Sequence, residues 1–150
     1  VQRAVARCEE DMGAEYVHSH IKFIAGDAME LLDHDASNLQ GIGHFDACAI
    51  CFTLELFTDA EIVMLLRKVR ARLEQKSGRI VAVSMSSAGE GRCAMSCYSL
   101  SRSCCPSIVD CRPIGLRELV MQSQCFDIVQ HEVLPMYGLA VEIVVGRARR

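Results

Sequence analysis

Two apolar runs separated by an amphipathic stretch dominate the middle of the chain. Residues 45–52 are nearly all apolar, which is typical of a strand covered on both faces. Residues 79–84 (RIVAVS) form a second run of this kind. Since helical periodicity separates the two runs, the sequence predicts a βαβ unit whose strands lie parallel in one sheet. Ligands of open parallel sheets bind beyond the carboxyl ends of the strands, which points to residues 51–57 and 85–90.

The stretch between these strands, residues 58–76, predicts a long helix. Thr58 and Glu61 have the spacing of a capping box, which marks where the helix begins. Ser77 and Gly78 predict that it ends in a left-handed turn. Its apolar residues fall on one broad face: Ile62, Val63, Leu65, Leu66, Val69 and Leu73. We therefore expect this helix to cover the sheet.

The chain before these strands predicts a helix and one short strand. Residues 1–16 have a helical pattern. Residues 21–25 alternate weakly, as in a strand, and are followed by Gly26-Asp27-Ala28. Asp27 has two interpretations that the residues do not separate. Its carboxylate either accepts hydrogen bonds from a ligand at the end of the strand, or it caps a following helical turn.

The chain after residue 112 predicts a helix and a hairpin. Residues 113–124 are amphipathic, with Ile114, Leu116, Leu119 and Val120 apolar. Residues 126–133 and 141–145 predict strands, and a turn at 134–138 separates them. Because so short a connection joins them, these two strands should pair antiparallel. The predicted fold is an α/β sheet that is parallel in its middle and carries a hairpin at one end.

Composition narrows the class of protein. With 150 residues, half of them hydrophobic, the chain is sufficient for one domain with a core. The net charge is −3 and basic residues cluster only at the end of the chain, so we expect no nucleic-acid binding. No apolar run has the length of a membrane span. Nine cysteines, an odd number, favour a reducing intracellular compartment, cytoplasmic or organellar, over a disulfide scaffold.

The histidines and cysteines do not form the pattern of a metal site. His18 and His20 fall in a predicted connection, and we interpret them as loop residues rather than ligands. The cysteines at 93, 97, 104 and 105 lack the paired spacing of structural zinc sites. We predict no metal. The sequence also contains no glycine-rich phosphate loop and no nucleophile elbow.

The order of these segments resembles the class I, Rossmann-like methyltransferases that use S-adenosylmethionine, most of all the ubiquinone and menaquinone biosynthesis group. The resemblance covers residues 1–147. The segments that carry it are Gly26-Asp27-Ala28, FDACAICFTLELFTDAEI at 45–62, GRIV at 78–81, VDCRPI at 109–114 and GLAVEIVV at 138–145. It implies an α/β, mostly parallel sheet with helices on both faces and a carboxyl-terminal antiparallel hairpin.

The resemblance also implies a cofactor site and a substrate site. Asp27, with Gly26 beside it, would receive the adenine amino group, and the amide of Ala28 would meet a ring nitrogen. The methionine part of S-adenosylmethionine would be lined by Cys51, Phe52 and Thr53. The residues that would face the substrate are Leu54, Glu55, Phe57, Tyr98 and Tyr137. The methyl acceptor would be small or amphiphilic, such as a quinone precursor.

The catalytic residues stay unknown at this level, because methyl transfer from a sulfonium depends more on alignment than on proton transfer. A general base helps where the acceptor is a hydroxyl or an acidic carbon. Glu55 and His131 are the candidates. The alternative for Glu55 is a polar residue at the start of a loop, and for His131 a structural residue on the hairpin.

Parts of the methyltransferase pattern have no counterpart in this sequence. The family's first strand, its glycine-rich loop and the acidic residue after its second strand would precede residue 1. We therefore expect residues 1–150 to be one partial domain, truncated at its amino terminus. The alternatives are a non-catalytic interaction or dimerisation module that retains a remnant of the fold, and a cysteine-rich metal-binding domain. A homo-oligomer is left open.

Overall fold

The structure is a computed structural model that describes residues 2–32, 44–87, 100, 111–136 and 138–149. The chain forms two compact units, Val1–Ile42 and Gly43–Arg150. The prediction that the whole chain is a single domain stays a prediction. In the described residues, no helix is both long and apolar enough to cross a lipid bilayer.

The first unit contains three helices, α1 (Gln2–Met12), α2 (Ala14–His20) and the single turn α3 (Ala28–Leu31). Gly13, with a φ of 87°, separates α1 from α2. The prediction of a loop around His18 and His20 was wrong, because α2 continues through both residues. The imidazole of His20 stacks on the ring of Tyr16 one helical turn earlier, at 4.3 Å between centroids.

The prediction of a strand at residues 21–25 was also wrong. The segment has no regular structure. A strand needs a neighbour to accept its main-chain hydrogen bonds, and the described part of this unit contains no other strand. The weak alternation of the sequence therefore does not produce a ladder.

The second unit is built on a four-stranded sheet. Its strands are β1 (Ala47–Cys51), β2 (Arg79–Met85), β3 (Phe126–Met136) and β4 (Leu139–Ala148), in the order β1-β2-β4-β3. The predicted parallel pairing of β1 with β2 is confirmed, and so is the antiparallel pairing of β3 with β4. Since β2 also pairs antiparallel with β4, the described sheet is mixed rather than mostly parallel.

Helix α4 (Asp59–Arg72) connects β1 to β2 and begins as predicted. The hydroxyl of Thr58 accepts a bond from the Glu61 N–H, and the Glu61 carboxylate accepts one from the Thr58 N–H at 2.8 Å. The predicted left-handed end was wrong: α4 ends at Arg72 and the chain becomes extended at Leu73. Gly78 is required for another reason, because a Cβ there would lie 2.5 Å from the carbonyl oxygen of Glu74.

Helix α5 (Leu116–Ser123) packs on β2, β3 and β4 and contacts α4. The apolar residues predicted for it, Ile114, Leu116, Leu119 and Val120, are all buried. Other buried residues of the same core are Ile62, Leu66, Val69, Ile80, Phe126 and Val144. Because α4 and α5 touch each other, these two helices lie on the same face of the sheet. The described part of this unit places no helix on the other face.

The prediction that β1 is covered on both faces was wrong. Cys48 and Ile50 are half-buried, whereas Ala47, Ala49 and Cys51 are exposed. The physical reason is that the described helices α4 and α5 lie on one face of the sheet, so the alternate residues of β1 that point to the other face stay exposed. The burial of Cys48 raises the pKa of its thiol above the ordinary value, because desolvation disfavours the thiolate.

The hairpin is longer than predicted. β3 runs through the residues predicted as a turn and ends at Met136, which pairs with Leu139. Only two residues therefore connect the strands, and Gly138 takes the positive φ of 80° that so short a connection requires. Tyr137 lies outside the described residues.

Candidate ligand site at the carboxyl ends of β1 and β2

The chain leaves the sheet abruptly at the end of β1. Phe52 still donates its N–H to the carbonyl of Val83 on β2, at 2.8 Å. Its φ is 50°, in the left-handed region that a phenylalanine rarely adopts. Such a conformation costs about 1–3 kcal/mol and concentrates at functional sites. The ring is 44% exposed, so burial of the side chain does not compensate for the strain.

Thr53 and Leu54 continue this turn. The hydroxyl of Thr53 donates back to the carbonyl of Cys51 at 3.0 Å, which closes the turn locally. Leu54 is fully buried and begins a short 3₁₀ helix, Leu54–Leu56. The residues assigned to the methionine part of a cofactor, Cys51, Phe52 and Thr53, therefore lie together at the end of β1, and two of them are exposed.

Glu55 on this 3₁₀ helix is 1% exposed. Its Oε1 accepts the N–H of Met85, the last residue of β2, at 2.7 Å. Val83 faces β1 with its main-chain groups, and Met85, two residues further on, faces the same side. Because β1 has already turned away at Phe52, the Glu55 carboxylate takes the place of the missing main-chain acceptor. Its Oε2 is buried and has no hydrogen-bond partner among the residues that the structure describes.

Arg112 holds this turn from the other side. Its main-chain N–H donates to the carbonyl of Glu55 at 3.3 Å, and its guanidinium donates to the carbonyl of Phe57 at 2.7 Å. The same guanidinium lies 2.5 Å from the carboxylate of Asp59 at the first turn of α4. Two residues later, Ile114 donates its N–H to the carbonyl of Met85 at 3.0 Å. The segment 112–114 thus joins the end of β2 to the turn after β1.

A second buried carboxylate, Glu142 on β4, lies under the amino end of α5. Its two oxygens accept hydrogen bonds from four donors at 2.8–3.2 Å: the main-chain N–H groups of Leu116 and Arg117, the hydroxyl of Ser86 and the Nε2 of His131. Helix amino ends leave N–H groups without partners, and a carboxylate is the group they favour. Glu142 therefore caps α5 from a distant strand, and His131 serves this cap.

Asp27 in the first unit caps α3. Its Oδ1 accepts the N–H of Met29 at 2.7 Å, and its side chain is exposed. Gly26 packs against the side chain of Leu31, where a Cβ would lie 3.0 Å from a methyl carbon. The capping interpretation of Asp27 is thus observed. A carboxylate accepts several hydrogen bonds, so this cap leaves capacity for a ligand donor.

The structure brings part of the predicted substrate side together. Leu54, Glu55 and Phe57 lie on one turn, with Leu54 and Glu55 buried and Phe57 half-buried. Tyr98, Tyr137 and residues 88–90 lie outside the described residues. Sequence analysis missed Arg112 and Glu142 as partners of the site. A single charge inside the apolar run VEIVV was a signal for Glu142, because such a charge needs partners when it is buried.

The predicted absence of a metal site stays a prediction. The described residues contain no group of three or more histidine, cysteine, aspartate or glutamate side chains that could hold a metal. His18 lies 3.0 Å from the carboxylate of Glu9, so it has a partner within its own unit. Of the cysteines that we interpreted as free thiols, 93, 97, 104 and 105 lie outside the described residues.

Solved methyltransferase structures share this fold. The mitomycin 7-O-methyltransferase MmcR matches with a TM-score of 0.63 and 15% identity, over 96% of this chain and 39% of that one. Magnesium protoporphyrin IX methyltransferase from Synechocystis PCC 6803, solved with bound SAH, matches with a TM-score of 0.61 and 11% identity, over 99% and 61%. A riboflavin-derivative dimethyltransferase, RosA from Streptomyces davawensis, matches with a TM-score of 0.57 and 15% identity, over 95% and 39%. No protein-family model and no curated protein matches the sequence.

The chain therefore has the fold of one part of a class I methyltransferase, as its resemblance implied. It spans 39% of the length of two of these structures and 61% of the third. The prediction of an α/β fold that is partial, with a carboxyl-terminal hairpin, is confirmed. The narrower resemblance to the ubiquinone and menaquinone group stays a prediction.

Proposed function

We propose that this chain is part of an S-adenosylmethionine-dependent methyltransferase that acts on a small or amphiphilic acceptor. The observation that carries the proposal is the shared fold, which extends over 95–99% of the chain in three solved methyltransferases. The strained turn at Phe52 supports it, because it lies at the carboxyl end of a strand, where open α/β sheets bind ligands.

Two sets of residues, each considered within its own unit, support cofactor binding. In the first unit, the exposed carboxylate of Asp27 would accept the adenine amino group while it caps α3, and the Ala28 amide would meet the ring. In the second unit, the turn of Cys51, Phe52 and Thr53 would line the methionine part. Near this turn, the buried Oε2 of Glu55 lacks a partner in the described part of the chain, and a ligand that carries positive charge would suit it.

The bound cofactor supplies a methyl group on a positively charged sulfur. The protein's contribution is to align the acceptor with that methyl group, and alignment alone is worth several kcal/mol. We assign Glu55 to holding the turn rather than to proton transfer, because its side chain is buried and one oxygen is bonded to Met85. Phe52 and Leu56, both exposed, are available to contact an apolar acceptor.

Calorimetric titration with S-adenosylhomocysteine tests the proposal, using the wild type and two variants of Asp27. Asp27→Asn keeps a side chain that caps helices well, but its one carbonyl oxygen is occupied by the cap. We expect it to weaken binding at least tenfold without loss of helix content. Asp11→Asn, an exposed acid on α1, is the matched control and should bind like the wild type.

The absence of binding by the wild type would refute cofactor binding by this chain and would favour an interaction module. Equal binding by the wild type and Asp27→Asn would keep the methyltransferase proposal and refute the role of Asp27. Asp27→Ala removes both the cap and the ligand acceptor, so its comparison with Asp27→Asn separates the effect of capping from the effect of binding.

A further inference from the structure

Glu55 is a buried carboxylate without a counter-ion. In the described part of the chain, no basic side chain forms an ion pair with it. The guanidinium of Arg112 is directed to the carbonyl of Phe57 and to Asp59, and only the main-chain N–H of Arg112 reaches the Glu55 main chain. Burial of a carboxylate without a paired cation is costly, so a positively charged group close to it would be stabilising.

A second unsatisfied group lies at the same strand end. Within the described ranges, the hydroxyl of Ser84 is buried without a hydrogen-bond partner, as is the Oε2 of Glu55. Ser84 directly precedes Met85, whose N–H binds the other oxygen of Glu55. Most buried polar atoms in proteins have hydrogen-bond partners, so two without one at the same strand end call for an explanation. Both lie next to the turn that carries the strained Phe52.

The rest of the site makes clear that Glu55 is unusual. Glu142, the other buried carboxylate of the described residues, has four donors on its two oxygens. Its charge is consumed in capping α5. Among the described residues, the carboxylate of Glu55 has one donor, the main-chain N–H of Met85, so these residues do little to cancel the field of the carboxylate. In a site of low dielectric constant such a field acts over several ångströms without direct contact.

We propose that Glu55 makes this site select the positively charged form of its ligand, and therefore S-adenosylmethionine over S-adenosylhomocysteine. This inference rests on the proposed function. In methyl transfer the bond between sulfur and the methyl carbon breaks, the methyl group bonds to the acceptor, and the electron pair stays on sulfur. The sulfonium thus becomes a neutral thioether. The attraction to Glu55 is present before transfer and is lost afterwards, which favours release of the product.

Three ligands test this by calorimetry: S-adenosylmethionine, S-adenosylhomocysteine and the amine analogue that carries an ammonium in place of the sulfonium. Glu55→Gln removes the charge and keeps an oxygen that accepts the Met85 N–H. We expect the preference of the wild type for both cationic ligands to fall about tenfold in Glu55→Gln, as loss of one nearby charge predicts. Asp46→Asn, which removes an exposed charge before β1, should leave the preference unchanged.

The outcomes separate the two proposals. Binding of all three ligands with the same preference in the wild type and Glu55→Gln overturns the role of Glu55 and leaves the proposed function standing. The absence of binding of any ligand by the wild type overturns the proposed function itself. If Glu55→Gln does not fold, the affinities of the wild type for the three ligands test the inference. Equal affinity of the wild type for the neutral ligand and both cationic ligands also overturns the inference.

Discussion

Replacement of Glu142 should destabilise the second unit more than any surface change. Its carboxylate accepts four hydrogen bonds, two of them from the first N–H groups of α5. Glu142→Ala leaves the buried N–H of Leu116 without its acceptor and removes the partner of His131. A hydrogen bond to a charged group contributes about 1.5–3 kcal/mol, and an unsatisfied buried donor costs about 1–3 kcal/mol. We therefore expect a loss of about 3–5 kcal/mol in the free energy of unfolding.

Urea denaturation followed by circular dichroism measures this loss. Glu142→Gln keeps the size and one acceptor oxygen but not the charge, so we expect about 2 kcal/mol. His131→Ala removes one donor of a side chain that is 32% exposed, and about 1 kcal/mol should be lost. Glu132→Gln is the matched control, because this neighbouring side chain is exposed and its change should stay within about 0.5 kcal/mol.

The reasoning depends on the order of these variants. If Glu142→Ala loses less than about 1 kcal/mol, the carboxylate does not cap α5 in solution. If the slope of the unfolding free energy against urea concentration changes, and not the midpoint alone, Glu142→Ala alters the compactness of the denatured or the native state. The free energies are then not comparable, and protection of the α5 amides from hydrogen exchange decides the question. Loss of protection at Leu116 in Glu142→Ala is expected, and full protection would contradict the cap.

Three further predictions concern the sheet and α4. Thr58→Ala should lower stability by about 1 kcal/mol in urea titration, because it removes the capping hydroxyl. The hydrogen bonds from Thr58 lower the pKa of Glu61. The stability that Glu61 contributes is therefore present above the unfolded pKa of about 4.3 and is lost as pH falls through the folded pKa. If the stability difference between the wild type and Thr58→Ala does not shrink in acid, this coupling is contradicted. Phe52→Asn should raise stability by up to about 1 kcal/mol, because asparagine tolerates a φ of 50°. The same variant should weaken cofactor binding, and unchanged binding would show that Phe52 is not part of the site. Iodoacetamide should modify the exposed Cys51 faster than Cys48, because burial raises the pKa of the Cys48 thiol. Peptide mass spectrometry measures both rates, and equal rates would refute the expected difference.

The local elements of this protein follow from residues that are near each other in sequence. The capping box at Thr58, the apolar face of α5 and the hairpin near Gly138 each depend on neighbours within a few positions. The parallel pairing of β1 with β2 follows as well, because the helix between them leaves one common connection. For these elements the prediction was confirmed.

Where the outcome depends on distant neighbours, the sequence was insufficient. Residues 21–25 have a strand pattern but no partner strand in the described part of their unit, and β1 has an apolar run but no described helix on one of its faces. Gly78 is fixed by a carbonyl that approaches it closely, and no turn rule predicts that contact. In each case the same residues would behave differently beside other strands.

The site shows the same division most clearly. The sequence predicted a ligand site at the turn after β1, because strand ends can be recognised from patterns. It did not show that the Glu55 carboxylate replaces a main-chain acceptor of β2, or that Glu142 caps a helix from another strand. The main-chain donors of both buried carboxylates come from segments that are 25 or more positions away in sequence. Only the tertiary structure brings those segments together, and it therefore decides which carboxylate has donors on both oxygens and which, among the described residues, has a donor on one oxygen alone.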